Sequence, residues 1–291
     1  MRTNFLEAFL LTVDTGSMAE AARRLDLTPA AVALQLRSLE QEMGVPLVTR
    51  AGKTVRPTAA GYRVIERSRA LVRDTANLKA LANQGEMSGE LHIGAVNTAL
   101  NALLPEVLEN ITAAYPSLRF HIRSALSSEL FEAVQNGELD AAVCLHPQFR
   151  LPKTCGWQLL REEELIALVP ASCDGHDPHA LLRTMPFIRY DRNQWGGQQA
   201  ERYLRSAGIV PNERFELSHI SAIVTLVGRG LGVALVPNVA MQSAMTDNVV
   251  KLSLPIPSQP RQLGIIWQRS SIQENLIRVF VEQAKRFGGN A

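Results

Sequence analysis

The chain has 291 residues, 46% hydrophobic and 20% charged, with a net charge of only +2. This describes a soluble globular protein with a sizeable core, in one large domain or two to three small ones. It excludes a membrane-spanning chain, since no run approaches the ~18 apolar residues of a span, and residues 1–9 lack the basic-then-apolar order of a signal peptide. Residues 1–87 hold 12 Lys/Arg against 9 Asp/Glu and the remainder 18 against 19, so any basic patch comes from arrangement rather than bulk charge. Cys144, Cys155 and Cys173 form no disulfide framework and fit a reducing, cytoplasmic setting.

Phe5, Leu6, Phe9, Leu10 and Val13 predict an amphipathic helix over Thr3 to Thr15. Ser17 with Glu20 three residues on has the spacing of a capping box, opening a short helix whose Ala19, Ala21, Ala22 and Leu25 form a small-residue face. Asp26-Leu27 is the turn. Thr28 is a second N-cap and Pro29 stands at the first helical position, where its missing N–H costs nothing. Val32, Leu36, Leu39 and Met43 predict one buried stripe, and Gly44 ends the helix. Two short helices joined this way read as a helix-turn-helix, whose second helix enters the DNA major groove. Ala30, Ala33 and Leu34 lie off the stripe, so they are expected to face bases through apolar contact and shape rather than hydrogen bonds. Two β-prone runs around Ala51-Gly52-Lys53 form a hairpin wing, with Arg37, Arg50, Lys53 and Arg56 as candidate phosphate or minor-groove contacts.

From Thr58 to about Gln84 no proline interrupts the chain, and Val64, Leu71 and Leu78 recur every seven residues, widened by Ile65, Val72 and Leu81. At 1.5 Å per residue this makes a helix of roughly 40 Å, too long to bury alone. It predicts a linker and dimerisation helix, ended by Gly85-Glu86-Met87-Ser88-Gly89.

The N-terminal region resembles the LysR-type transcriptional regulators. The resemblance is carried by F-x-x-x-x-x-T-G-S-M-A-E-A-A-R-R-L-D-L-T-P-A-A-V-A-L-Q-L-R-S-L-E-Q-E-M-G-V-P-L-V-T-R and the P-T-A-A-G that opens the long helix, about sixty residues in all. Where the family usually opens its recognition helix with Ser-Gln-Pro, this chain has Thr28-Pro29-Ala30. Positions often Ser and Arg are Ala33 and Leu34, and Phe-Glu-Arg before the wing is Val48-Thr49-Arg50. These departures bear on base reading, not on fold.

Beyond Glu90 strands and helices alternate: Leu91–Val96, Leu118–Ala125 and Leu139–Leu145 as strands, with helices over Ala99–Tyr115 and Ser128–Asn136. A second set follows, with strands at Glu164–Val169, Phe187–Arg192, Phe215–Ser218 and Val233–Val236 and helices at Gln198–Ala207 and Ala222–Gly228. Gln262–Gln268 is a late strand and Glu274–Phe287 a closing helix. The expected fold is α/β with an all-α-type N-terminal winged helix-turn-helix (1–57), a linker helix (58–87) and a two-lobed effector domain (90–291). The chain would pass between lobes near Arg161 and again near Arg261, with lobe I over about 90–161 and 266–291 and lobe II over about 162–265. The resemblance implies the periplasmic-binding-protein-like architecture of the family's effector domain.

Gly228-Arg229-Gly230-Leu231-Gly232 has a helix before it and a strand after it, the reverse of a dinucleotide fingerprint, and so reads as a helix end and tight turn. Cys173, Asp174, His176, Asp177 and His179 crowd one loop without a second ligand pair at set spacing, so no metal or other cofactor is expected. No nucleophile elbow or catalytic constellation occurs, which argues against an enzyme. Cys144 lies in an apolar strand and is a core residue. Thr98, Ser127, Ser128, Asn193 and Ser221 stand at strand-to-helix turns, where open α/β sheets bind ligands and helix N-termini favour anions. Each is also an ordinary helix cap. Arg192 or His219 could add charge. The resemblance implies an effector bound between the lobes by residues at the positions of Thr98 and Ser128. The expected function is therefore a promoter-binding regulator switched by a small, anionic effector. Its partners are double-stranded DNA, its own copies as homodimer or homotetramer, and RNA polymerase at the promoter. The rival expectation is a cytosolic solute-binding module without sequence-specific DNA activity, supported by Ala33 and Leu34 alone.

Overall fold

A computed structural model describes residues 2–52, 54–82, 88–173, 177–239 and 248–288, and the chain divides into two compact units. The first runs through Glu90. It holds α1 (Thr3–Thr15), α2 (Met18–Arg24), α3 (Pro29–Met43), the strands β1 (Val48–Ala51) and β2 (Thr54–Pro57), and the long α4 (Ala59–Ala82). Local signals set these boundaries. The Ser17 hydroxyl accepts the Glu20 N–H at 3.3 Å and the Thr28 hydroxyl that of Ala31 at 3.2 Å, while Gly44 closes α3 at φ 72°, a left-handed turn without penalty for glycine. The capping box is only half made, because the Glu20 carboxylate turns away to bind Arg23 and Arg24.

Two small cores hold this unit. Ala8, Ala21, Ala22 and Val32 let α1, α2 and α3 approach closely, while Leu6, Phe9, Leu10, Leu36, Leu39, Leu47 and Ile65 fill the space beside α4. Met43, expected in the buried stripe, is 36% exposed at the last turn of α3, where the helix has run past the core. Val64 and Leu71 pack on the core around Leu6 and Phe9 within the same chain, whereas Leu78 is 60% exposed. The heptad stripe is thus partly spent on holding the helix to its own domain. The side chain of Leu81, and the whole of Gln84 and Gly85–Met87, lie outside the described residues.

The second unit has two lobes. In the first, β3 (Gly89–Ala95), β4 (Leu118–Ser124), β5 (Ala141–Leu145), β6 (Cys155–Glu163) and β12 (Arg261–Gln268) form one sheet in the order β4-β3-β5-β12-β6. β3 and β5 run parallel, as crossover helices require, and β12 is antiparallel to both its neighbours. The helix expected over Ala99–Tyr115 is two, α5 (Asn97–Ala102) and α6 (Leu104–Ala114), because Pro105 has no N–H for the Asn101 carbonyl and the run must start afresh. α7 (Ser127–Gln135) and the closing α11 (Glu274–Gly288) complete the lobe.

The second lobe pairs β7 (Leu165–Pro170) between β10 (Ala234–Pro237) and β11 (Val249–Ser253), and β8 (Pro186–Tyr190) parallel to β9 (Asn212–Leu217). A bridge from Phe187 to Val233 links the two sheets. Around them lie α8 (Pro178–Thr184), α9 (Trp195–Ser206) and α10 (Ile220–Gly228). β6, α8 and β11 were not foreseen. The whole of β12 belongs to the first sheet, so the chain returns to the first lobe between Ser253 and Arg261, earlier than the boundary at 265 implies.

Candidate functional site

On α3, Thr28, Pro29, Ala30, Leu34 and Arg37 are exposed and Ala33 is half-buried, with Leu34 reaching 62% exposure. Ala30 and Ala33 stand four residues and one residue before Leu34, so the exposed side of α3 is apolar at these positions. The Arg37 Nε donates to the Ala33 carbonyl at 3.2 Å, which lays that guanidinium along its own helix. In the wing, the register sets Arg50 opposite Val55 and Arg56 opposite Thr49. Because side chains alternate along a strand, the two exposed arginines leave opposite faces of the ribbon. Lys53 lies outside the described residues.

The second unit contains a cleft of about 240 Å³ at the carboxyl ends of the strands. Its first wall is Val96, Asn97 and Thr98 after β3, Ser124 to Glu129 after β4, and Leu145 at the end of β5. Its second wall is Tyr190 and Asn193 to Gly196 after β8, with Ser218, His219 and Ile220 at the start of α10. Thr98, Ser127, Ser128 and Asn193 therefore come together. Ser221 does not line the cleft; it sits one residue too far into α10. Arg192 is also absent from the lining, since Glu213 at 2.7 Å and Glu216 at 3.3 Å hold its guanidinium.

The lining residues differ in what they have left to give. The Ser127 oxygen accepts the Leu145 N–H at 3.2 Å, so this buried hydroxyl locks α7 to the end of β5. Ser128 is exposed and Thr98 half-buried at the mouth of the cleft. Gln194 takes the Tyr190 hydroxyl on its carbonyl at 3.1 Å and donates to the Ser218 carbonyl at 2.9 Å, fixing the loop that carries Asn193. Burial pushes the Tyr190 phenol above its ordinary range, against the pull of the Arg261 cation, and keeps it neutral.

Arg261 was not foreseen as part of the site. It lines the cleft from the first residue of β12, and its Nε binds the Glu163 carboxylate, whose other oxygen accepts the Arg161 Nε at 2.7 Å. Nothing local marks it, because its partner is 98 residues away and β12 brings them into register.

Cys144 is fully buried in β5, and burial pushes its thiol up to about 12, the opposite of a reactive thiolate. Asp174 and His176 lie outside the described residues, while His179 hydrogen-bonds the Tyr203 hydroxyl at 2.7 Å. Among the described residues, one group has metal-ligand spacing: Glu90 and His92 of β3 with His121 of β4, their ligand atoms within 4.8 Å of one another. None of the three lines the cleft. No described helix is long and apolar enough to cross a membrane.

A winged helix-turn-helix followed by a linker helix and a two-lobed α/β domain with a cleft defines a DNA-binding transcriptional regulator with an effector-binding domain. The model of bacterial regulatory helix-turn-helix proteins of the lysR family matches residues 3–62, and the LysR substrate-binding domain matches 84–288. The chain belongs to the LysR family of transcriptional regulators, which is not a family of enzymes. It is 26% identical over 285 residues to the HTH-type transcriptional regulator IlvY of Escherichia coli K12, covering 94% of this chain and 96% of that one. It is likewise 26% identical over 284 residues to the hydrogen peroxide-inducible genes activator of Haemophilus influenzae, covering 94% and 93%. Its fold matches a full-length OxyR variant from Pseudomonas aeruginosa with a TM-score of 0.69 at 19% identity, over 98% of each chain. It also matches full-length CbnR in complex with its target DNA, with a TM-score of 0.68 at 20% identity over 99% of this chain and 100% of that one. Membership in this family decides against the rival of a solute-binding module without DNA activity.

Proposed function

We propose that the cleft is the effector site of this regulator and that a small anionic metabolite bound there changes how the protein holds promoter DNA in the cytoplasm. The observation that carries this is convergence: Thr98 and Ser128 from one lobe and Asn193 from the other line one cavity, so a ligand that bridges them prefers the arrangement in which both walls reach it. That difference in affinity between two arrangements is what a switch requires. Ser127 supports the site by anchoring α7, and Ser221 plays its part in α10 rather than against the ligand.

On the DNA side, Ala30, Ala33 and Leu34 would meet base edges through thymine methyls and groove shape, with Thr28 and Pro29 setting the helix entry. Arg37, Arg50, Lys53 and Arg56 would supply phosphate contacts, Arg50 and Arg56 from opposite faces of the wing. Two such helices need two chains. The linker helix would pair them through Leu78 and the edge of the stripe that Val64 and Leu71 begin, placing recognition helices about 34 Å apart on half-sites. The family resemblance adds to this proposal tetramer assembly through the effector domains and contact with RNA polymerase.

Calorimetry on the full chain against small carboxylates tests the cleft. Thr98→Val removes one hydroxyl and nearly keeps the shape. The loss of one bond to a charged ligand is about 1.5–3 kcal/mol, so affinity should fall roughly ten- to a hundredfold. Binding as tight as in the parent, in both Thr98→Val and Ser128→Ala, would overturn the assignment.

A further inference from the structure

The two strands that carry the chain between the lobes meet at one charged cluster. β6 ends at Glu163 and β12 begins at Arg261, paired in register, and Arg161 stands two residues before Glu163. Both guanidiniums bind the same carboxylate through their Nε atoms. Their side chains are 10%, 1% and 7% exposed for Arg161, Glu163 and Arg261 respectively. Two cations thus share one anion in a place nearly closed to water, and one positive charge is left over. Among the described residues, the Nη2 atoms of Arg161 and Arg261 are buried and have no hydrogen-bond partner. A buried donor left unmatched is costly, and a buried charge more so.

Of the two arginines, Arg261 lines the cleft. Gly196 makes that possible: a Cβ there would stand 2.8 Å from the Tyr190 ring and 3.0 Å from the Arg261 Nη1. Among the described residues, the lining carries one acidic side chain, Glu129, which is exposed, and one histidine, His219, also exposed and bonded to Ser218. The other polar lining groups are neutral.

We propose that Arg261 is the anion-reading residue of the cleft and that its ligand is a small monocarboxylate. The proposal rests on the effector-site assignment above and adds to it the residue that reads charge and the charge it reads. One surplus cation calls for one negative charge, and a dianion such as phosphate would overshoot it. A carboxylate that reaches the Arg261 guanidinium beside its bond to the Tyr190 side chain gains charge-assisted bonds that a neutral amide of the same shape cannot match. A cleft of about 240 Å³ suits a small acid. Because Arg261 and Glu163 terminate the two connecting strands, a ligand on Arg261 acts where the lobes join.

The test uses the full chain and its thermal unfolding with acetate, lactate and benzoate, each beside its amide, and with inorganic phosphate. The expected result is that at least one carboxylate raises the melting temperature while its amide and phosphate do not. In Arg261→Gln that carboxylate should bind roughly ten- to a hundredfold more weakly. The same variant leaves Glu163 paired one-to-one with Arg161, so without ligand it should melt at or above the parent temperature. A merely structural arginine would instead lower it when removed, and that outcome overturns the surplus-charge argument. Equal protection by amides, protection by phosphate alone, or no protection by any carboxylate overturns the ligand class. Full carboxylate protection retained in Arg261→Gln but lost in Thr98→Val overturns the role of Arg261 while the cleft assignment stands. Protection lost in Arg261→Gln but kept in both Thr98→Val and Ser128→Ala moves the ligand off the cleft and overturns the placement.

Discussion

Two arginines are buried in the effector domain to nearly the same degree, and their surroundings differ in charge count. Arg189 on β8 is 3% exposed and sits between Glu201 of α9, at 2.6 Å, and Glu213 of β9. Those carboxylates are shared outward with Arg205 and Arg192, and Arg192 also binds Glu216, so three cations meet three anions. Arg261 is 9% exposed and shares its single carboxylate with Arg161. The first cluster is closed in charge, although the Arg189 Nε is itself buried without a partner among the described residues, and none of its charged groups lines the cleft. The second is one anion short and faces the cleft. A buried ion pair is weak evidence for stability, since desolvation offsets most of the attraction. What distinguishes the structural cluster from the proposed anion site is therefore the balance, not the burial.

The largest effect should come from the carboxylate the two hinge arginines share. Glu163→Gln leaves two buried guanidiniums with no counter-charge and should cost about 3–5 kcal/mol of stability, measured by denaturant unfolding. In the closed cluster, Arg189→Met keeps the contact over the Phe187 ring and leaves Glu201 and Glu213 with Arg205 and Arg192 and partial access to water. Its cost should be smaller, about 1–3 kcal/mol, in the same assay. If Glu163→Gln proves no more damaging than Arg189→Met, the contrast between the clusters is not real.

The smallest effect is one of pH. The Arg189 hydrogen bond, opposed by partial burial, holds the Glu213 carboxyl below its ordinary value of 4.5. Partial burial, the largest influence on Glu201, raises its carboxyl, but the bonds from Arg205 and Arg189 together outweigh it and lower it. A carboxyl lowered on folding adds stability above its unfolded pKa and loses it as pH falls through the folded one. The closed cluster should therefore weaken below about pH 4.5. Glu213→Gln should make the parent's acid-side loss of stability shallower, as followed by melting temperature from about pH 6 down to about pH 3. Since Glu213 is 37% exposed, water screens much of this and the change should be modest. An acid limb as steep as the parent's would remove Glu213 from the cluster's pH response.

How much of each region was legible follows the range of its interactions. The N-terminal domain could be read almost residue by residue, because Ser17, Thr28, Pro29 and Gly44 act on the backbone within four positions of themselves. The misreadings there are equally local: Glu20 found Arg23 and Arg24 before it found the Ser17 N–H, and Met43 stands one turn beyond the core its spacing promised. In the effector domain β6 escaped notice because its two faces are unevenly buried, so no alternation of apolar and polar residues announces it. The seam of α4 shows another limit: a heptad says which face is apolar, not whether that face meets α1 or another chain, and Val64 and Leu71 meet their own domain.

The sequence by itself determined the helix-turn-helix, the wing, the long helix and the two-lobed α/β order, since caps, periodicity and turn residues act over a few positions. It also determined that Thr98, Ser127, Ser128 and Asn193 stand at strand ends, where such sheets bind ligands. Only the tertiary structure decided which strand ends share a cleft, that Ser221 and Arg192 fall outside it, and that Arg261 falls inside. The physical reason is register. β12 pairs with β6 across 98 residues to put Arg261 beside Glu163, and no local pattern encodes a charge balance assembled from both ends of a domain.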